Sequence, residues 1–294
     1  MRRDDIVKLT PYYQMLAHSR TRGYSLTLKK WLDFFIEEVK EIKWNINPFE
    51  KLVLPADQKK LILAFAETQA AGSTFEDIIS DKDKGIICLL SGPPGVGKTL
   101  TAEATAEKLK VPLRTITSGD LGHELWEIEE ELNRTSELVS RWNAITLLDE
   151  CDVFLETRST RDLARNRVVS IFLRVLEYYK GIMFMTTNNI DNIDPAFQSR
   201  IHISLEYPDL TVDSRYQIWK NFLGAATLKN DIGERELNNL AKLQLNGRQI
   251  KNILKVAHLL ALQEKSVLKQ SFIEMVLAVE KRRPGVQERW VVHS

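Results

Sequence analysis

From about Gly85 onward, short apolar runs alternate with longer stretches in which apolar residues recur every three or four positions. The runs "GIICLLS", "PLRTITS", "AITLLDE", "GIMFMTTN" and "IHISLEYP" are continuous rather than alternating, the pattern of strands covered on both faces. Between them, "KTLTAEATAEKLK", "HELWEIEEELNRTSELVSRW" and "LARNRVVSIFLRVLEYY" read as helices. The order predicts an α/β core in which crossover helices join parallel strands. Beyond "YPDLTVD" the strand pattern stops, and "SRYQIWKNFLGAA", "ERELNNLAKLQ", "NGRQIKNILKVAHLLALQEK" and "KQSFIEMVLAVEKRR" all read as helices. Ile250, Ile253, Leu254, Ala257 and Ala261 share one face at helical spacing, which predicts a small helical domain with its own core. "EIEEEL" at 127–132 reads as the solvated face of a helix. In the first fifty residues Trp31, Phe34, Phe35, Val39 and Ile42 suit a helix by spacing and a strand by residue type, and both assignments stay open.

The bulk numbers add little beyond exclusions. A chain of 294 residues is longer than one compact core usually needs, in keeping with a core plus a smaller domain. Its 41 Lys and Arg against 40 Asp and Glu leave a net charge of +1, so neither nucleic acid nor an anionic membrane is expected as a partner. Cys88 and Cys151 are too few and too far apart for a zinc cluster or a disulfide framework, and the expectation is two small buried apolar residues. No apolar run approaches the ~20 residues that span a bilayer. The start "MRRDDIVKLTPYY" lacks the apolar core of a secretory signal. The expectation is a soluble cytoplasmic or nuclear protein without membrane insertion.

Chemistry enters at "CLLSGPPGVGKTLTAEA". Gly92, Gly97, Lys98 and Thr99 have the spacing GxxxxGK[ST] directly after an apolar strand and directly before a helix, the setting this phosphate-binding loop requires. Glycines let successive backbone N–H groups curl towards phosphate oxygens, and the helix that starts there adds its positive end. Lys98 is placed to neutralise the outer phosphates, and the Thr99 hydroxyl to ligate Mg²⁺. The candidate nucleotide-binding set is Gly92, Pro93, Pro94, Gly95, Val96, Gly97, Lys98, Thr99 and Leu100, with Asp149 and Arg248 from further along the chain.

The strand "AITLLDE" ends in Asp149 and Glu150, and it is expected to lie beside the strand that carries the loop. Asp149 would hold Mg²⁺ together with Thr99, and Glu150 would orient and deprotonate an attacking water. A second carboxylate of this kind serves hydrolysis better than small-molecule phosphorylation, in which water must be kept out. Asp152 and Glu156, just beyond, are expected to be surface charges.

Taken in order, "GPPGVGKT", "LLDE", "TTNNIDNIDPAFQSRI" and "NGRQIKN", with a helical segment last, resemble the AAA family of ATPases within the wider AAA+ class. The resemblance covers about residues 48–283 and is nearest to a subgroup of fungal AAA-type ATPases. It implies an N-terminal segment at 1–47 left over from or linking to a larger region, an α/β nucleotide-binding core at 48–208, and a helical lid at 209–294. "PFEKLVLPADQKKLI" resembles the segment that leads into the core beside the adenine. ATP and Mg²⁺ are the implied cofactors. By position Asn188 matches the sensor 1 polar residue, with Asn189 as the neighbouring candidate, and Arg200 matches the arginine finger that acts on the adjoining subunit's nucleotide.

Arg248 matches sensor 2, and its position also has a physical reading. Asn246 and Gln249 have capping-box spacing, which puts Arg248 in the first turn of a helix. A cation there opposes the helix dipole and sits better beside an anion such as a γ-phosphate, although a solvent-facing arginine is the alternative. The resemblance has departures. "QSRI" carries one finger arginine where many AAA unfoldases carry two, and Trp126 lacks the glycine that follows a pore-loop aromatic, so a core position for Trp126 is the expectation. "RSTRDLARNR" could line a channel, contact a neighbour's nucleotide or be a solvated basic face. The catalytic set implied is Lys98, Glu150, Asn188 and Arg200. The activity implied is ATP hydrolysis coupled to remodelling of a protein client by a hexameric ring of identical subunits, with a nucleotide-dependent assembly switch or loader, on DNA or elsewhere, as the alternative.

Overall fold

The structure, a computed structural model, describes residues 10–70, 85–122, 124–158, 163–189, 193–225 and 229–281. It divides into a unit up to Trp44 and a unit from Asn45 onward. In the first, helix α1 (Pro11–Leu16) precedes two antiparallel strands, β1 (Arg20–Ser25) and β2 (Lys30–Phe35). The open assignment there resolves to strand for Trp31, Phe34 and Phe35, while Val39 and Ile42 fall in neither helix nor strand. Cross-strand pairing accounts for the choice. Tyr24 faces Trp31 across the ladder with their rings edge to face, and the Arg20 guanidinium lies over the Phe35 ring.

The second unit opens with α2 (Asn47–Glu50) and α3 (Ala56–Ala70). The core follows: β3 (Ile86–Ser91), α4 (Lys98–Leu109), β4 (Leu113–Thr117), α5 (Leu125–Trp142), β5 (Ile145–Asp149), α6 (Asp152–Leu155), α7 (Leu163–Glu177), β6 (Ile182–Thr187), α8 (Pro195–Gln198) and β7 (Ile203–Glu206). The strands form a parallel sheet in the order β4-β5-β6-β3-β7. One expectation needs correcting: β5 does not lie beside β3, because β6 is inserted between them. The inserted strand ends in Thr186 and Thr187, so polar groups stand where the two functional strands would otherwise have touched.

Continuous apolar strands are explained by what each face meets. Ile87, Leu89, Leu148, Met183 and Met185 join one cluster with Leu132 of α5 and Phe172 of α7. Their neighbours Cys88, Leu90, Leu147, Ile182 and Phe184 join another with Ile62 of α3 and Ala102 of α4. Successive side chains point to opposite faces, so a sheet covered twice needs apolar residues at every position. Both cysteines are free and buried. Burial pushes the Cys88 thiol up to about 12 and the Cys151 thiol well above its usual range.

Four helices follow among the described residues: α9 (Val212–Ala225), α10 (Glu234–Ala241), α11 (Gly247–Gln263) and α12 (Gln270–Lys281). They enclose a separate core around Trp219, Leu240, Ile250, Ala257 and Ile273. The five α11 residues placed on one face by their spacing are all buried. Among the described residues no helix is long and apolar enough to cross a membrane.

Candidate nucleotide site

The loop between β3 and α4 curls through Gly92, Gly95 and Gly97, whose φ angles are 138°, 79° and 113°. Two of these glycines answer to different neighbours. A Cβ on Gly95 would stand 2.7 Å from Cγ of Asn246, so here the lid presses on the loop. A Cβ on Gly97 would meet no protein atom within 4 Å. The space over Gly97, at the N-terminus of α4, is thus open, and the backbone N–H groups there can receive an anion. The loop is tied down from below. The Gly92 N–H donates to the Thr187 carbonyl at 3.3 Å, and the Tyr207 N–H donates to the Ser91 carbonyl at 2.8 Å. The Tyr207 hydroxyl pairs with the Thr101 hydroxyl at 2.8 Å.

Lys98 is buried, and its ammonium donates to the carbonyls of Gly92 (2.6 Å) and Pro93 (2.8 Å) and to Oδ1 of Asn188 (2.9 Å). Burial lowers its pKa from the ordinary lysine value, the carboxylates of Asp152, Asp149 and Glu150 oppose that shift, and Arg248 adds to it. These three hydrogen bonds go to neutral oxygens. Exchanging them for phosphate oxygens replaces neutral acceptors with charged ones, which form stronger bonds.

The Thr99 hydroxyl donates to Asp149, 3.0 Å from Oδ1 and 3.3 Å from Oδ2. One hydroxyl and one carboxylate at hydrogen-bonding distance fit a cation held mostly by phosphate and water, as Mg²⁺ is. The described residues contain no cluster of three or more His, Cys, Asp or Glu able to hold a metal by themselves. Glu150 is exposed and has a left-handed backbone, φ 54°, uncommon for a side chain of its size. Its amide donates to the Thr186 hydroxyl at 2.9 Å.

Asp152 departs from expectation. It is not a surface charge: its Oδ1 accepts from the Thr187 hydroxyl (2.5 Å) and from the amides of Asn188 (3.0 Å) and Asn189 (3.2 Å). The carboxylate closes the turn at the end of β6, and from that turn Asn188 reaches Lys98. Of the two candidate asparagines, Asn188 is the one whose side chain contacts the lysine. Glu156 is also engaged, pairing with Arg165. Within "EIEEEL", Glu131 is not solvated but pairs with the buried guanidinium of Arg114 at 2.5 Å.

The lid meets the loop directly. The Gly247 N–H donates to the Gly95 carbonyl at 2.8 Å. The capping box forms as its spacing predicts, with Asn246 and Gln249 exchanging bonds of 2.9 Å. Arg248 is therefore the second residue of α11, exposed and close enough to act on Lys98 electrostatically. A cavity of about 500 Å³ lies between the segment Leu52–Pro55 and Gln217 and Asn221 of α9. Ile218, next to Gln217, reaches the Gly247–Gly95 contact.

Arg200 is not brought to this site. The adjacent His202 donates its N–H to the Ile87 carbonyl, near the start of β3, whereas the phosphate loop follows the end of that strand. The Arg200 guanidinium donates to the carbonyls of Leu173 and Ala196 and pairs with Glu177 at 3.4 Å. Trp126 is 64% exposed on the first turn of α5, so the core position expected for it is wrong; Ile128 and Leu132 take the buried face. Part of "RSTRDLARNR", residues 159–162, lies outside the described residues.

Several residues of the site were not read from the sequence. Thr186, Thr187 and Tyr207 look like ordinary strand residues, and what marks them out is burial of a hydroxyl. The pair of Arg158 with Asp194, 2.7 Å, joins segments 36 residues apart and leaves no local pattern.

Residues 88–209 match the model of the ATPase family associated with various cellular activities (AAA). The chain is 28% identical over 300 residues to the 26S proteasome regulatory subunit 4 homolog B of Arabidopsis thaliana, covering 96% of this chain and 66% of that protein. It is 27% identical over 239 residues to the 26S proteasome regulatory subunit 6A of Saccharomyces cerevisiae, covering 76% of this chain and 54% of the relative. A proteasome-activating nucleotidase of Archaeoglobus fulgidus is 27% identical over 219 residues, covering 70% and 54% respectively. The chain thus spans between about half and two thirds of the length of these relatives. With the parallel sheet, the phosphate loop and the C-terminal helices already in place, the match identifies an AAA domain at residues 88–209 of this chain.

Proposed function

We propose that the chain binds Mg·ATP in the loop Gly92–Leu100 and hydrolyses it to ADP and phosphate. The observation that carries this reading is the convergence of Lys98, the Thr99–Asp149 pair and Asn188 beside the open backbone of Gly97. Lys98 and the loop amides hold the β- and γ-phosphates, while Thr99 and Asp149 hold Mg²⁺. When bound, Mg²⁺ supplies charge neutralisation at the phosphate oxygens. Glu150 takes the proton of the attacking water, and its exposed side chain is free to meet that water. Asn188 helps to place the water while keeping contact with Lys98. Arg248 answers the γ-phosphate from the lid, and the cavity beside Leu52–Pro55 takes the base.

Arg200, far from its own loop, acts on the nucleotide of a neighbouring copy in a hexameric ring, as head-to-tail contacts that close permit. The energy goes into remodelling a protein client in an intracellular compartment. Support for a protein client comes from relatives named as proteasome regulatory subunits. The near-balance of charge, 41 against 40, gives no basis for nucleic-acid binding.

The test is steady-state phosphate release by the wild type and by Glu150→Gln, with the mass of each measured by light scattering with and without ATP. A loss of at least about 100-fold is expected for Glu150→Gln, together with an ATP-dependent oligomer. Equal rates, with both proteins folded, refute the assignment of Glu150. A rate that rises on adding DNA at several salt concentrations favours a loader instead.

A further inference from the structure

The turn that presents Glu150 is held by one residue of the next strand. Thr186, the fifth residue of β6, is 2% exposed and takes part in four hydrogen bonds with residues 149–151. Its hydroxyl donates to Oδ1 of Asp149 at 2.5 Å and accepts from the Glu150 N–H at 2.9 Å. Its carbonyl accepts from the Cys151 N–H at 2.9 Å and from the Cys151 thiol at 3.0 Å. A hydroxyl has one proton to give and lone pairs to receive, and here it uses both functions on consecutive residues. The β3 strand and its loop lie on the other side of β6, so no other strand intervenes between Thr186 and the end of β5.

We propose that the Thr186 hydroxyl is the positioning element of the catalytic turn, fixing the Asp149 carboxylate and the left-handed Glu150 backbone in one geometry. This rests on the roles given above to Asp149 and Glu150. A left-handed backbone at a non-glycine residue is strained and persists only where its surroundings over-determine it. Glu150 is exposed, so its side chain has little packing to impose that conformation, and the constraint must act through its amide. Among the described residues that amide donates to the Thr186 hydroxyl, which is itself oriented by its bond to Asp149. Removing the hydroxyl releases both residues together: Asp149 loses an acceptor contact at Oδ1, and the Glu150 peptide loses the bond that sets its direction. The hydroxyl acts through Asp149 and the Glu150 amide, so its effect is expected on turnover more than on nucleotide binding.

The experiment compares Thr186→Val, which keeps the shape and removes the hydroxyl, with Thr186→Ser, which keeps the hydroxyl. The first readout needs no nucleotide: amide hydrogen exchange at Glu150 and Cys151 in the free protein. Thr186→Val is expected to speed exchange at Glu150 at least tenfold, and Thr186→Ser to stay within about threefold of wild type. The second is the kinetic split. Thr186→Val is expected to lower kcat on the order of 10- to 100-fold while KM for Mg·ATP stays within about twofold, and Thr186→Ser to restore kcat to within about fivefold. Unchanged exchange and unchanged kcat in a folded Thr186→Val overturn the proposal. So does a serine variant as impaired as the valine one, which makes the methyl group the important part. If the wild type hydrolyses no ATP, it is the functional reading that fails, and the exchange measurement still decides whether Thr186 holds the turn.

Discussion

Gly247→Ala isolates the contact between lid and phosphate loop from the charge of Arg248. Gly247 has no left-handed φ, so alanine is compatible with its backbone, and at the start of α11 it is the better helix former. The perturbation is therefore confined to the new Cβ, which would lie 2.9 Å from the Gly95 carbonyl oxygen. Ordinary contact requires about 3.4 Å or more, and the obstacle is backbone, so the helix start must withdraw by about 0.5 Å. That stretches the Gly247 N–H···O bond from 2.8 Å past good geometry, at a cost of about 1 kcal/mol. Improved helix propensity offsets much of this in global stability, yet the coupling between lid and loop still falls by roughly fivefold. The expected outcome is a chain unfolding within about 1 kcal/mol of wild type, with affinity for Mg·ATP weakened roughly fivefold by calorimetric titration. Combining Gly247→Ala with Arg248→Ala should be less than additive, since both act through the same helix end. Full additivity, or wild-type affinity in Gly247→Ala, refutes the idea that the lid reads the loop through this bond.

Other expectations follow from the same geometry. Asp152→Asn removes the charge that gathers one hydroxyl and two amides at the end of β6, and kcat for ATP is expected to fall about tenfold with KM within twofold, measured by phosphate release. For Asp194, burial raises the pKa, but hydrogen bonds from the Arg158 side chain and from the amides of Ala196 and Arg158 outweigh it and leave the carboxyl below its usual 3.8. A depressed carboxylate contributes stability above the unfolded-state pKa and loses it as pH falls through the folded value. Arg158→Ala is therefore expected to lower stability at neutral pH, and by progressively less below pH 3.8, in urea titrations. Trp126→Ala, at a 64% exposed position, is expected to change stability by less than about 0.5 kcal/mol in the same assay.

What the sequence disclosed and what it withheld divide along a physical line. The phosphate loop, the Asp149–Glu150 strand end and the α11 capping box were legible because each lies within a few residues and depends on local backbone rules. The continuous apolar strands announced a sheet covered on both faces but carried no lateral order, so β6 went unplaced between β5 and β3. The consequences of that insertion were equally hidden. Asp152 looked like one more acid in an acidic turn, and its partners Thr187, Asn188 and Asn189 lie 35–37 residues away. Trp126 misled in the opposite direction: large aromatics are usually buried, but the apolar face of α5 runs through Ile128, Leu132 and Val139 and leaves residue 126 outside it. The N-terminal strands could not be told from a helix because Trp31, Phe34, Phe35, Val39 and Ile42 suited a helix by spacing and a strand by residue type, and cross-strand pairing decides between them.

The most direct test of the account is calorimetric titration of the folded 294-residue chain with Mg·ATP at concentrations up to millimolar, alongside Lys98→Ala. Saturable uptake by the wild type, weakened on the order of 100-fold or more once the ammonium is gone, is the result predicted from the loss of charge-assisted bonds to phosphate. A wild-type protein that takes up no Mg·ATP, or a Lys98→Ala variant that binds it equally well, contradicts the account.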